Sequence, residues 1–153
     1  MRSLAFVAFA ISVASVAFAA EPAPADRQQL MQLAERMDHA WTAGDAEANA
    51  QLFAVDATAR FGNDRLAVGR EEILAQFQSF FNDRPAGLRH VTKIERTERL
   101  NDELAMWHAE VRVEGQRPPG QWVALTTIRN VTIARRGREG WRIQSVRAFP
   151  VSP

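Results

Sequence analysis

The sequence predicts an α+β fold in which three N-terminal helices pack on a curved antiparallel sheet and leave one hollow between the layers. Three features lead there. Apolar residues recur at helical spacing as far as Phe81, and four long stretches of strand-like alternation follow from Leu88. The one-sided apolar faces of those strands must then be covered by the helices that precede them. The resulting shape is a cone.

Asp26 followed by Gln29 is a capping-box-like start for the first helix, whose Leu30, Leu33, Met37, Ala40 and Trp41 form one buried stripe until Gly44 stops the run. Asp45 then caps a second, shorter helix, expected to run through Leu52 and Phe53 to about Asp56. Ala57 to Phe61 and Leu66 to Val68 read as a small hairpin around Gly62-Asn63-Asp64. Gly69 opens a third helix with Ile73, Phe77, Phe80 and Phe81 on one side, and Pro85 ends it by disfavouring a helical Arg84.

Strands are expected over 88–100, 103–114, 121–134 and 140–150, joined by turns at Asn101-Asp102, Gly115 to Gly120 and Arg135 to Gly140, which makes a meander. In the second of these, Ala105, Trp107, Ala109, Val111 and Val113 share the face toward the helices. In the third, the more apolar set is Val123, Leu125, Thr127, Arg129, Val131 and Ile133, which is therefore expected to look into the hollow. The last strand places Trp141, Ile143 and Phe149 opposite Val146 and Ala148, so both its faces carry apolar weight, and a homodimer is the economical way to cover the outer one.

The chain begins with a single charge at Arg2, runs uncharged from Leu4 to Ala19 and closes on Ala17-Phe18-Ala19. Those are the three parts of a signal peptide, and the run is shorter than the roughly 20 residues that span a bilayer. Cleavage after Ala19 divides the chain into a leader over 1–19, a flexible lead-in over 20–26 carrying Pro22 and Pro24, and one domain over 27–150, placed in the periplasm or outside the cell. Having no cysteine removes disulfides and thiolate chemistry. Of 19 basic residues the leader takes only Arg2, which leaves 18 against 18 acidic ones. So balanced a chain has no global field to draw nucleic acid or an anionic membrane. Three separated histidines give no metal-ligand spacing, and no dinucleotide or flavin fingerprint is visible, so neither metal nor cofactor is expected.

Four segments, Trp41-Thr42-Ala43-Gly44-Asp45, Leu52-Phe53-Ala54-Val55-Asp56-Ala57-Thr58, Gly69-Arg70-Glu71-Glu72-Ile73 and Gly140-Trp141-Arg142-Ile143, resemble in that order the nuclear transport factor 2-like superfamily. The narrower likeness is to its SnoaL-like and SgcJ/EcaC branch, over about residues 27–149. The resemblance implies the cone fold with one apolar pocket, but the superfamily holds ketosteroid isomerases, dehydratases, cyclases and members that only bind or assemble, so activity has to be read from residues. The isomerase set maps onto Phe61, Met37 and Arg129, none of which is the required acid, base or tyrosine, and the chain has no tyrosine at all. The dehydratase pairing of a strand histidine with an aspartate near the end of the first helix maps onto His90, with Asp38 and Asp45 as the two carboxylate candidates. A carboxylate there would orient the imidazole as a general base.

The expected pocket wall is Met37, Trp41, Phe61, Phe77, Phe81, Trp107, Ala109, Val111, Leu125, Thr127, Arg129 and Val146. Arg129 would hold a ligand anion or neutralise a buried acid, and the aromatic residues would line the hollow or simply fill it. The first reading is a domain that binds a small apolar molecule; beside it stand a lyase or isomerase using His90, and a non-catalytic dimeric interaction module.

Overall fold

Gly44 takes a left-handed conformation, φ 71°, and with it α1 (Pro24–Ala43) closes as the Gly44 and Asp45 N–H groups turn back onto the Trp41 and Ala40 carbonyls. The Asp45 carboxylate at once accepts the Ala48 N–H at 2.8 Å and starts α2 (Ala46–Gln51). The computed structural model describes residues 20–118 and 120–151, and the leader expected over 1–19 lies outside them. Among the described residues no helix is long and apolar enough to cross a membrane. The expected lead-in is shorter than 20–26. Pro24, not a residue after Asp26, occupies the first turn of α1, and the Ala20 carbonyl accepts the Arg99 N–H at 2.7 Å.

After α2 come β1 (Phe53–Phe61), β2 (Ala67–Val68), α3 (Arg70–Asn82), β3 (Leu88–Arg99), β4 (Leu104–Gln116), β5 (Trp122–Gly137) and β6 (Gly140–Pro150). The second helix thus stops before Phe53, short of the expected Asp56. Phe53 is fully buried as a strand residue opposite Ile143, and the Arg70 guanidinium holds its carbonyl at 2.6 and 3.0 Å, so pairing with β6 takes the segment that helical spacing claimed.

The strands form one curved sheet in the order β2-β1-β6-β5-β4-β3. The sheet is mixed where an antiparallel one was expected: β3 to β6 make the meander, but β1 runs parallel to β6, the long crossover that a parallel pair needs being α3 and the meander itself. Register shifts interrupt the β1–β6, β3–β4, β4–β5 and β5–β6 pairings, and each extra residue bends its strand. The sheet curls round α1 and α3, whose Leu30, Leu33, Trp41, Ile73 and Phe77 meet Ala59, Ala105, Trp107, Ala109, Ala134, Trp141 and Ile143 in a single core.

Two strands present other faces than their own patterns suggest. In β5 the inward residues are Thr126, Ile128, Asn130, Thr132 and Ala134, while Thr127 and Arg129 point outward; Leu125 is the extra residue of the β4–β5 register shift, 49% exposed, with its side chain over Gly115 and beside Leu88. Directly paired residues share a face. Trp107, Ala109, Val111 and Val113 are buried on β4, and their partners are Thr132, Asn130, Ile128 and Thr126, so the neighbours overrule the more apolar set of β5. In β6 the shift that sets Ile133 against Ser145 and Ala134 against Ile143 turns Trp141, Ile143, Val146 and Ala148 all inward, leaving Phe149 outside and about half exposed. The two-sided apolar strand is absent, and Phe149 is the one large apolar side chain of β6 left on the outer face.

Because the Asp45 carboxylate is spent on the helix start, Asp45→Ala should lower stability by about 1 kcal/mol with Asp45→Asn nearly neutral, read as shifts in the urea midpoint.

Candidate active site

β3 is an edge strand, so the N–H groups on its free side find no sheet partner. α1 supplies the acceptors. The His90 N–H donates to Thr42 Oγ1 at 3.1 Å, and the Thr92 N–H donates to Asp38 Oδ2 at 2.8 Å. Asp38 is three residues before Trp41 on the helix, and that spacing sets its carboxylate and the indole on the side of α1 that faces β3. The Thr92 hydroxyl donates to Asp38 Oδ1 at 2.6 Å, and the same oxygen lies 2.6 Å from His90 Nδ1.

This arrangement fixes the imidazole. An ionised carboxylate only accepts, so Nδ1 carries the proton and Nε2 of a neutral ring holds the lone pair. The ring lies against the Trp41 indole, centroids 5.0 Å apart at 34°, and the two side chains of the dyad are only 12% and 18% exposed. Arg84, just past the end of α3, clamps the carbonyls that end α1: Nη1 donates to Trp41 O at 2.5 Å and Nη2 to Thr42 O at 3.2 Å. Its guanidinium sits 4.6 Å from the Trp41 ring centre and 4.8 Å from that of Phe81, and burial lowers its pKa. A side chain at Gly44 would run into it, with Cβ 2.9 Å from Arg84 Nη2.

His90 lines a cavity of about 270 Å³ between the helices and the sheet. That is just below the roughly 300–1,000 Å³ usual for small-molecule sites. Of the residues expected on its wall, Met37, Trp41, Phe61, Phe77, Trp107, Val111 and Val146 are there. Phe81 stands behind the wall against Trp41 and Phe77, and Ala109 is buried in the core beside it. Leu125, Thr127 and Arg129 are not on it: Arg129 belongs to the outer face, 3.9 Å from Glu95, and can anchor nothing inside. Asp45 is likewise apart from the site, engaged at the start of α2. Of the two carboxylate candidates the structure brings only Asp38 to His90.

Residues absent from the expected wall include Thr92, Gln76, Thr126, Ile128, Asn130 and Thr132. The polar members of β5 looked like solvent-facing positions because polarity is the usual mark of an outer face. A signal was present in the neighbouring strand, where Trp107 to Val113 is unambiguous and dictates what faces it.

The sequence profile of the SnoaL-like domain matches residues 23–147. No curated protein matches the sequence. Solved structures match in fold. A domain of unknown function with a cystatin-like fold from Nostoc punctiforme superposes with TM-score 0.74 at 23% identity, over 86% of this chain and 81% of that one. An NTF2-like protein with a cystatin-like fold from Novosphingobium aromaticivorans gives TM-score 0.69 at 21% identity, over 84% and 83%. A ketosteroid isomerase-like protein from Erwinia carotovora atroseptica gives 0.67 at 15% identity, over 82% and 96%. At such identities the likeness is one of fold.

Since Arg84 ties the end of α1 to the aromatic cluster, Arg84→Ala should cost about 2 kcal/mol in urea unfolding and shift the tryptophan emission. Arg84→Lys should recover only part of this, lacking the planar fork.

Proposed function

The chain belongs to the SnoaL-like domain family, and from that premise we propose that it is an exported lyase or isomerase of the dehydratase type, with His90 as general base acting on a small, mostly apolar molecule. The observation that carries the reading is the 2.6 Å contact between His90 Nδ1 and Asp38 Oδ1, made by a ring that lines the cavity. The leader, with its small-residue cleavage site, supports a place outside the cytoplasm.

An imidazole base is matched to a proton already activated by a neighbouring carbonyl, which points to β-hydroxy ketones and related compounds. His90 Nε2 takes the proton from the carbon next to the carbonyl, and the C–H electron pair becomes the new C=C bond as the C–O bond to the leaving hydroxyl breaks. His90 then returns the proton to the departing oxygen, so that water leaves and the ring is neutral again. Asp38 faces the charge that the imidazolium carries between those two transfers. Trp41 holds the ring plane and keeps water from that side. The ketosteroid isomerase route has no support, because Met37 and Phe61 stand on the wall as apolar groups and Arg129 is outside.

A second reading, binding without turnover, is favoured by one observation. Asp38 also serves the Thr92 N–H and hydroxyl, which gives it a structural reason to exist.

The readings separate on a panel of cyclic β-hydroxy ketones, followed by the absorbance of the enone product. Under the proton-transfer reading His90→Ala lowers turnover by a hundredfold or more and Asp38→Asn by at least as much, since the amide can hold the wrong tautomer, while affinity changes by only a few fold. Unchanged turnover in His90→Ala, or tight binding of the panel with no product from the wild type, would leave the binding reading in its place.

A further inference from the structure

β5 crosses the cavity with Thr126, Ile128, Asn130 and Thr132 turned inward, a stripe with three polar members, on a wall whose other polar members are Asp64, Gln76, His90 and Thr92. Asn130 pairs with Ala109 on β4 and Ala148 on β6, so its immediate neighbours across the sheet are short side chains with no polar group to offer. Its Oδ1 is buried with no hydrogen-bond partner. Across the cavity, on α3, Gln76 donates through Nε2 to the Arg65 carbonyl at 3.0 Å, which fixes its amide, and its Oε1 is likewise buried and unpartnered. Four buried side-chain oxygens in the described residues lack a partner, and two of the four stand on the wall of this one cavity, one from each layer. A buried acceptor without a donor costs free energy wherever it is left so, and such groups concentrate where a ligand supplies the missing half.

We propose that the cavity takes a neutral, hydroxylated small molecule, an alcohol or phenol, whose O–H groups donate to Asn130 Oδ1 and Gln76 Oε1. A hydroxyl both donates and accepts, so it satisfies either end of the Asn130 amide. Charge excludes the alternatives. No lysine or arginine lines the cavity, so a carboxylate or phosphate would be buried unpaired; the Asp38 carboxylate is already taken by Thr92 and His90, and Asp64, the acidic residue on the wall, is exposed to solvent, so an ammonium group deep inside would fare no better. The inference rests on the proton-transfer reading only for which bond reacts; the recognition stands on the two oxygens alone. For that reaction it assigns the hydroxyl-bearing end of the substrate to the stripe on β5 and the carbon that loses its proton to His90.

The test uses 1-indanol, indane and indane-1-carboxylate as probes, titrated calorimetrically into the purified chain. Wild type should bind 1-indanol about tenfold more tightly than indane, the scale of one well-made hydrogen bond, and the carboxylate more weakly than the alcohol. Asn130→Leu, close to the original in shape, should erase most of the preference for 1-indanol while leaving indane bound. Gln76→Met reports independently should the first variant fail to fold. No preference for the alcohol in wild type, a preference untouched by both variants, or a carboxylate that binds as well as the alcohol would each overturn the proposal. His90→Ala keeps the alcohol preference if the recognition is right, so a loss of turnover in that variant bears on the proton-transfer reading and a loss of preference on this one.

Discussion

The unpaired edge of β3 is the constraint on which the site depends. An edge strand exposes N–H groups that must be served by something other than a neighbouring strand, and here the last two turns of α1 serve them through Asp38 and Thr42. Those bonds tie the helical layer to the sheet at one end of the cavity. The same carboxylate that serves the strand also orients the imidazole, so the dyad is a by-product of docking the helix as much as an addition to it. Arg84 completes the arrangement from the other side by holding the carbonyls at the end of the same helix.

A cavity survives between these layers because the sheet is bent and its inner surface is uneven. Each pairing between the longer strands carries a register shift, and the bends turn what would be a flat face into a wall around α1 and α3. Alanines at 59, 67, 105 and 134 let the backbone of the helices and sheet approach closely in the filled part of the core. Large side chains, Trp41, Phe77 and Trp107 among them, stand round the open part without closing it. The large aromatic residues line the space rather than fill it, which is what separates this interior from an ordinary packed core.

The helices and the four long strands were legible in the sequence, because helix periodicity, capping residues and strand alternation are local properties, and the resemblance to the dehydratase branch pointed to His90 with a carboxylate near the end of α1. The inward face of β5 was not legible. Taken alone, Val123, Leu125, Val131 and Ile133 are the apolar set and belong inside; opposite Trp107, Ala109 and Val111 stand Thr132, Asn130 and Ile128, so Val131 and Ile133 fall outside. A slip of one residue moves every side chain of a strand to the other face, so a single misread parity displaced Thr127 and Arg129 from the expected wall together, while the shift at Leu125 turns Val123, opposite Gly115, back inward. The bulge in β6 defeated the pattern in the same way, by changing parity within one strand.

By itself, then, the sequence determined the class of fold and the order of its elements, since these follow from contacts between residues near one another in the chain, while the resemblance to the dehydratase branch singled out the histidine worth watching. Only the tertiary structure decided that Asp38 and not Asp45 meets His90, that Arg129 stands outside, and that two amide oxygens face an apolar cavity without partners. Those outcomes depend on cross-strand register and on how a helix docks against an edge, and register is set by residues tens of positions apart whose mutual fit no local pattern records.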